Sequence, residues 1–333
     1  MRVLQDEEIK SKEVETRKVQ KLGSSSLFVT LPKKWISKWN VKPGDKIIME
    51  VSDDGTLKLI AEKVKNVMNK RNIKIDVDSL KQPLLSIIPC LYALGYDEIL
   101  LLSKKGIDRS EIESLLSFSK QLVGAEVTEA GNNKVKIECL LDTEKLGLES
   151  LLRRLLNIIS KKIDEIILLI SDKIPNKELQ VTKDDLRRVY LMLLRRILGN
   201  RYDTEKYIVR NFIIISNITL LSYAYNILEK ITSYLLKVKL NEDDSKKLRE
   251  IFQASNDILD EIIMTLLFPS VKRIINGKGL ISQVKNSSET LSDEILRNYI
   301  QDLVNIFEEA LSNSSCVIYL EEQPWLEKSF SSS

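Results

Sequence analysis

The stretch RKVQKLGSSSLFVTLPKKWISKWNVKPGDKIIMEVSDDGTLKLI, at residues 17–60, decides the fold of the first part of the chain. Its apolar residues occur in short runs that Gly and Pro interrupt, which is typical of small β-structures. A first strand and a Gly-Ser turn lead into a second strand, whose alternation places Leu27, Val29 and Leu31 on one inward face. Pro32 suits the first position of the short helix that PKKWISKW predicts.

The second half of this stretch predicts a hairpin. Pro43, Gly44 and Asp45 form a turn before the strand KIIMEV, and Asp54 and Gly55 form a tight turn before the strand TLKLI. About four strands and one helix then occupy fewer than fifty residues, too few to bury a sufficient apolar core in one copy. The sequence therefore predicts that two copies interlace as an obligate homodimer.

Positive charge is concentrated in the same region. Residues 17–46 contain eight lysines and arginines and a single acidic residue, Asp45, which gives a local charge of +7, whereas the whole chain carries +3. The remainder of the chain is therefore net acidic, at −4. A basic surface that pairing doubles is the electrostatic pattern of a protein that binds phosphate groups. The alternative interpretation is a solvated lysine-rich face without a ligand.

From this pattern we predict a set of DNA-contacting residues that bind mostly the phosphate backbone, with limited readout of the bases. Lysine and arginine supply the charge, and the serines of the turn add hydroxyl and backbone N–H donors for phosphate oxygens. The predicted set consists of Arg17, Lys18, Lys21, Ser24, Ser25, Ser26, Lys33 and Lys34.

Residues 15–61 resemble a known family. The order strand, Gly-Ser turn, strand, LPKKW, VKPGDKI and hairpin is similar to the swapped-hairpin AbrB/SpoVT/MazE DNA-binding domain. The Leu-Pro-Lys and Pro-Gly-Asp elements lie at the spacing of that family. The resemblance implies an interlaced homodimer that presents basic strands and loops to double-stranded DNA.

The composition changes twice after this module, which predicts an α+β multidomain protein. A polar, basic connector at 63–72 precedes a segment in which strand, helix, strand, helix, strand and strand follow one another. Beyond Asp142 the strand signals end, and isoleucine and leucine recur at helical spacing, which predicts a bundle of about six antiparallel helices. The predicted parts are the swapped-hairpin domain at 1–62, a small α/β segment at 73–142, the helical bundle at 143–320 and a tail at 321–333.

The residue types present exclude several kinds of chemistry. The chain contains no histidine, which excludes Ser-His-Asp and Cys-His catalysis and histidine-ligated zinc. The three cysteines, Cys90, Cys139 and Cys316, are too few and too scattered for a disulfide framework, and each is expected to be a small core residue. The NGKG stretch at 276–279 lacks the P-loop pattern and is interpreted as a connection between helices. We therefore do not expect an enzyme, and a carboxylate–metal hydrolase is the one enzyme class left.

Two further features bear on the location of the protein. Residues 1–18 are charged throughout and lack the apolar core of a secretory signal. The most apolar stretch, 212–228, contains Asn, Ser and Tyr and is followed at once by Glu229 and Lys230, which indicates a buried helix rather than a membrane span. The expectation is a cytoplasmic protein without membrane insertion.

The helical region at 144–320 resembles the PhoU family of phosphate-uptake regulators, which are built from two three-helix repeats. Chains that join a swapped-hairpin domain to such a region are an archaeal arrangement. The resemblance implies a link to phosphate uptake or homeostasis. It also implies a place for divalent metal ions, because the family carries Glu-x-x-x-Asp motifs whose two carboxylates share a helix face.

The first repeat's helix at 211–230 lacks the expected carboxylates. In the second repeat, Glu289 and Asp293 match the motif and are the predicted metal ligands. The helix before them carries further carboxylates at Asp257, Asp260 and Glu261. The alternative is a solvated helix start with a cap at Ser287 or Ser288. No other cofactor is expected.

Three functions fit these patterns. The first is a homodimeric DNA-binding transcriptional regulator whose helical half senses or relays a signal. The second is a signalling adaptor that acts on a phosphate transporter or sensor by protein–protein contact, with the N-terminal domain serving only dimerisation. The third is an antitoxin-like module, which the long helical half makes less suitable.

Overall fold

The computed structural model describes residues 15–23, 26–51, 55–62, 71–140, 147–171, 182–199 and 205–320. The chain divides into two compact units, Met1–Lys70 and Arg71–Ser333. Short strands dominate the first unit, whereas a four-stranded sheet and long helices make up the second. The fold class is therefore α+β with separate units, as predicted.

The first unit consists of two antiparallel hairpins with a short helix between them. Strand β1 (Gln20–Leu22) pairs with β2 (Ser26–Phe28), and β3 (Ile47–Val51) pairs with β4 (Leu57–Ala61). Helix α1 (Lys33–Lys38) follows β2. Pro32 is the residue before α1 rather than its first helical residue, because its backbone is extended, with φ −60° and ψ 130°. The order of elements is the one that the Gly and Pro positions predict.

The second unit begins with a small α/β sheet. Strand β5 (Asn72–Asp76) runs parallel to β6 (Glu98–Leu102). Strand β6 also pairs antiparallel with β8 (Lys134–Cys139), which pairs antiparallel with β7 (Ala125–Gly131) at the sheet edge. The helices of this segment are α2 (Leu84–Ala93) and α3 (Arg109–Ser119). The chain order of strands and helices agrees with the predicted order. A parallel pair joined by a helix is the ordinary crossover connection.

The rest of the second unit is helical. Apolar residues recur with a period near 3.6, so each helix has one apolar side. These sides pack together in one hydrophobic cluster. The helices described between residues 147 and 320 are α4 (Leu148–Ile170), α5 (Lys183–Leu198), α6 (Glu205–Leu235), α7 (Glu242–Leu267), α8 (Val271–Glu289) and α9 (Glu294–Ser315), followed by a short 3-10 turn at Cys316–Leu320.

Helix α8 corrects the sequence analysis. The NGKG stretch at 276–279 lies inside this helix and does not connect two helices. Gly277 is buried there, and a Cβ atom at this position would lie 2.7 Å from Cδ2 of Leu311 on α9. The glycine therefore allows two helices to approach closely, a role that the sequence alone did not distinguish from a helix break.

The longest apolar helix is α6, whose residues Tyr207–Leu235 have the length and hydropathy of a membrane span. Ile214, Ile218, Leu221 and Leu228 have no exposed surface, because they pack into the common core. The inner side of α6 is therefore a core face, as predicted for the stretch 212–228.

A buried arginine joins the sheet to the helices. Arg195 of α5 has no exposed surface, and its Nη2 lies 2.7 Å from Oδ1 of Asp97. Its Nη1 donates to the carbonyl oxygens of Tyr92 at 3.0 Å and Tyr96 at 2.8 Å. The other carboxylate oxygen of Asp97 accepts the backbone N–H of Arg71 at 2.8 Å. One carboxylate thus fixes both the first residue of the second unit and a bundle helix.

The expectation that the cysteines are core residues is wrong for two of them. Cys90 and Cys316 are exposed, and Cys139 is half-buried. Cys90 lies on α2 between the buried residues Ile88 and Tyr92 but on the opposite side of the helix. Apolar neighbours in sequence therefore did not imply a buried position.

Candidate nucleic-acid interface

The predicted basic residues lie around the first hairpin and the start of α1. Lys21 belongs to β1, and Lys33 and Lys34 are the first two residues of α1. Arg17 and Lys18 precede β1. All five side chains are exposed, so their charges are accessible to a polyanion in solution.

Arg17 has an acidic neighbour that the sequence analysis did not consider. Its guanidinium forms an ion pair with the carboxylate of Glu15, and both side chains are partly exposed. Exposed ion pairs contribute only about 0.2–1 kcal/mol. A phosphate group can therefore replace Glu15 as the partner of Arg17 at little cost.

The Gly-Ser turn between β1 and β2 is partly described. Gly23 has a φ of +69°, in the left-handed region that glycine adopts without steric cost. Ser26 is exposed and pairs with Leu22 across the hairpin. Ser24 and Ser25 lie outside the described residues. Of the predicted serine donors, Ser26 is thus the one with a described position.

The loop after α1 has a fixed shape. The backbone N–H of Lys42 donates to Oδ2 of Asp45 at 2.7 Å. Gly44 and Asn40 both have positive φ values, of +91° and 47°. The one acidic residue of the segment 17–46 is therefore bound to the backbone of this turn through its carboxylate.

The first unit buries almost none of its described apolar side chains, which are exposed or half-buried. Among its described residues only Ala61 is buried, and the side chains of Val51 and Leu27 are 82% and 72% exposed. The prediction that Leu27, Val29 and Leu31 face an interior is wrong for a single copy, since Leu27 and Val29 are exposed and Leu31 is half-buried. The physical reason is that one copy of so small a unit has no interior.

The second hairpin has an exposed apolar face that was not predicted from the sequence. Met49 and Val51 alternate along β3, and Val51 pairs with Leu57 of β4, so the three share one face of the hairpin. All three are exposed. The period-two alternation in KIIMEV is the sequence pattern from which this face could have been predicted. Exposed apolar faces of this kind are typical of surfaces that a partner covers.

The predicted metal ligands do not share a helix. Glu289 is the last residue of α8, and Asp293 is the residue before α9. Ser287 and Ser288 lie in the last turn of α8 and do not cap a helix start. The turn at 290–293 separates the two carboxylates, so the i, i+4 geometry on which the prediction depended is absent.

Asp293 has a structural role instead. Its Oδ1 accepts the backbone N–H of Leu296 at 2.9 Å, which caps α9, and its Oδ2 accepts the hydroxyl of Tyr234 at 2.9 Å. That hydrogen bond raises the pKa of Tyr234 above its ordinary value. The carboxylate therefore joins α6 to the start of α9.

The other carboxylates named with this motif line a groove between α7 and α8. Its volume is about 650 Å³. Oε2 and Oε1 of Glu261 accept hydrogen bonds from Arg273 at 3.0 Å and Asn276 at 3.3 Å. Within the described part of the chain no three or more acidic or cysteine side chains converge as metal ligands would. The groove lining is Asp257, Asp260, Glu261, Ile275, Asn276, Gly279, Leu280 and Gln283.

Comparison with known proteins gives one match. Residues 20–67 match the family model described as antidote-toxin recognition MazE, bacterial antitoxin. No curated protein and no solved structure matches the chain. The match spans both hairpins and α1, which supports a swapped-hairpin module at this position. It does not extend to the helical region, where the resemblance to PhoU stays a prediction.

Proposed function

We propose that the protein is a homodimeric regulator that binds double-stranded DNA through its first unit. The observation that carries this proposal is a segment of charge +7 on a unit whose described apolar side chains, except Ala61, are exposed or half-buried in a single copy. Pairing covers the apolar faces and at the same time brings two basic hairpins together. The product is one positive surface with twofold symmetry, which suits a polyanion such as duplex DNA.

The residue types favour contact with the DNA backbone. Lysine is a point charge that binds phosphate without reading base edges, and four of the five basic residues proposed for contact are lysines. The similarity to the MazE model supports the same assignment. We therefore expect affinity to depend strongly on salt and weakly on sequence.

Replacement of Lys21 and Lys33 by Ala tests this interface. Each phosphate contact contributes about 0.9 to the slope of log affinity against log salt concentration, so the double variant should bind more weakly and show a shallower slope. Fluorescence anisotropy with a labelled duplex between about 50 and 200 mM salt measures both. Lys74→Ala, at an exposed position of β5 in the second unit, is the matched control. An unchanged slope in the double variant would remove both lysines from the interface.

The helical region is then the part that receives a signal. Its resemblance to PhoU suggests phosphate supply as that signal, which a comparison of DNA affinity with and without inorganic phosphate would test. A change in affinity would support the link. No catalytic step and no metal ion belong to this proposal.

A second candidate is an antitoxin-type regulator, which the description of the matching family favours. Such a protein binds a toxin partner as well as DNA. Copurification of a specific partner with the full chain, followed by loss of that partner's toxicity on coexpression, would favour this candidate. An adaptor function predicts copurification with a transporter or sensor and no DNA binding.

A further inference from the structure

The start of α6 lies at an end of the bundle where apolar side chains are exposed. Tyr207, Ile208 and Phe212 are all exposed, Phe212 to 70%. Ile208 and Phe212 are one helical turn apart and are therefore neighbours on the helix surface. Phe268 and Val271, at the turn between α7 and α8, are also exposed. Together these five residues form the end patch.

A hydrogen bond holds the two parts of the end patch at the same end of the bundle. Nη2 of Arg210, near the start of α6, donates to the carbonyl oxygen of Leu266, in the last turn of α7, at 3.0 Å. The start of α6 and the turn that contains Phe268 are therefore side by side. Groups of exposed apolar side chains are typical of surfaces that another segment or molecule covers. The end patch is thus a candidate docking surface.

The last described residues of the chain lead to the same place. Tyr234, near the C-terminal end of α6, donates to Asp293 at the start of α9. Helix α9 then packs back along α6 for 22 residues, a length of about 33 Å. The same number of residues counted back from Tyr234 reaches Phe212. The turn at Cys316–Leu320 contacts α6, so the described chain ends beside the first turns of α6.

The segment after Leu320 supplies an occupant of matching chemistry. Residues 321–333, EEQPWLEKSFSSS, lie outside the described residues and contain three large apolar side chains, those of Trp325, Leu326 and Phe330. A single aromatic side chain can bury about 150–250 Å². The five residues from Leu320 to Trp325 span at most about 18 Å, whereas the part of the end patch on α6 is about 7.5 Å long. Trp325 can therefore reach the end patch of its own chain.

Charge and tethering favour this segment over other occupants. It contains three glutamates and one lysine, a net charge of −2, whereas the exposed residue Lys272, next to Val271, is positive. If two copies of the end patch met about a twofold axis, their Lys272 side chains would repel each other. A segment tethered beside its binding surface has an effective concentration of about millimolar. It therefore occupies the end patch ahead of a separate protein at lower concentration.

We propose that residues 321–333 dock on the end patch of their own chain, with Trp325 and Leu326 against Ile208 and Phe212. The inference depends neither on the pairing of the first units nor on DNA binding. A docked segment removes the end patch from solvent. Any other partner of this end of the bundle then has to displace the segment before it can bind.

Photo-cross-linking of the full chain tests the docking. We expect that benzoylphenylalanine in place of Phe212 gives, on irradiation, an adduct of monomer mass. A glutamate-specific protease should then release peptide 323–327 still joined to the peptide that carries the probe. The same group in place of Tyr223, an exposed aromatic position about three turns further along α6, is the matched control and should give no such adduct. Equal yields at both positions, or no adduct at Phe212, would overturn the proposal.

Two other products would assign the end patch to a different occupant. A covalent dimer without the internal adduct would assign it to a second copy. An adduct with lipid of added phosphatidylglycerol vesicles, again without the internal adduct, would assign it to a membrane surface. Both results would overturn the proposal and leave the proposed function intact.

Tryptophan fluorescence gives a second measurement without a cross-linker. In a chain with Trp35→Phe and Trp39→Phe, Trp325 is the one tryptophan left in the sequence. We expect that Phe212→Ser in this background shifts the emission of Trp325 to longer wavelength and increases its quenching by acrylamide. Tyr223→Ser should leave both unchanged, and circular dichroism checks that each variant keeps its helices. Equal emission and quenching in the two variants would contradict the docking.

Discussion

Asp185 shows how one side chain sets the start of a helix. Thr182 and Asp185 form a reciprocal capping box at the beginning of α5: the hydroxyl of Thr182 accepts the N–H of Asp185 at 3.2 Å, and Oδ2 of Asp185 accepts the N–H of Thr182 at 3.0 Å. The backbone hydrogen bond from Thr182 is the main cause that holds the pKa of Asp185 below its ordinary value. Stability and protonation are therefore linked at this residue.

We predict that Asp185→Asn lowers the free energy of unfolding by about 1 kcal/mol at neutral pH, the usual contribution of a helix cap. A carboxyl with a lowered pKa stabilises the fold above its unfolded pKa, near 3.8, and this contribution is lost as the pH falls through the folded value. The difference between wild type and variant should therefore shrink below about pH 4. Urea unfolding followed by circular dichroism across pH measures it.

Asp184→Asn is the matched control for this variant. Asp184 is the exposed neighbour in the same first turn and has the same favourable position near the helix N-terminus. It takes no part in the capping box. A loss of stability as large in Asp184→Asn as in Asp185→Asn would mean that charge near the helix end, and not the box, is responsible.

At the scale of elements, α8 contains a pair of glycines with opposite expected effects. Gly279 has no heavy atom within 4 Å of a Cβ position, whereas a Cβ at Gly277 would lie 2.7 Å from a methyl carbon of buried Leu311. Gly279→Ala should stabilise by about 0.5–1 kcal/mol, since alanine reduces the entropy of the unfolded chain. Gly277→Ala should destabilise by about 1–3 kcal/mol through overpacking.

Thermal unfolding of the two glycine variants checks this prediction, and each serves as the control for the other. They share a helix, a residue type and a substitution. The expected result is a higher midpoint for Gly279→Ala and a lower one for Gly277→Ala. A rise in both midpoints would mean that Leu311 moves aside easily and that α8 and α9 are not tightly packed there.

The same elements show what the sequence could predict. Long stripes of isoleucine and leucine predicted α4 to α7 within a few residues, because the helical period is expressed directly in side-chain chemistry. Helix α8 was missed, because its two glycines resemble a break unless the neighbouring Leu311 is known. The prediction that Glu289 and Asp293 bind a metal ion failed for a related reason. Two residues four positions apart share a helix face only if one helix contains both of them.

The charge of the candidate interface could be predicted from the sequence, whereas the arrangement of its side chains could be predicted only in part. The charge of the segment 17–46 follows from counting residues, and the exposed positions of Lys21 and Lys33 agree with it. The apolar face of Met49, Val51 and Leu57 depends on the cross-strand register, which a sequence pattern specifies only partly.

At the scale of the whole molecule, the two units differ in how they obtain stability. The second unit has a large core within one chain, including Ile214, Leu221 and Phe307, all fully buried. The first unit buries only Ala61 among its described residues. If the first units pair as proposed, we expect folding of the first unit to depend on concentration, whereas the second unit, whose core lies within one chain, should fold independently of it.

Two optical probes separate these units. Two of the three tryptophans, Trp35 and Trp39, lie in or next to α1 in the first unit, and the third is Trp325. In a Trp325→Phe background, tryptophan fluorescence therefore reports on the first unit. The far-ultraviolet dichroism arises mainly from the long helices of the second unit. Tenfold dilution reduces the stability of a unit that folds only as a dimer by about 1.4 kcal/mol. We therefore predict that dilution lowers the fluorescence midpoint by about 5 °C or more and leaves the dichroism midpoint unchanged.

A variant of the apolar hairpin face strengthens this test. Val51→Lys places a charge on the surface that pairing would cover, so it should lower the fluorescence midpoint further and leave the dichroism midpoint as in the wild type. If both probes gave one common transition, the two units would unfold as a single cooperative body. If the fluorescence midpoint did not respond to dilution, the first unit would be stable in one copy. Its exposed apolar faces would then need another explanation than a second chain.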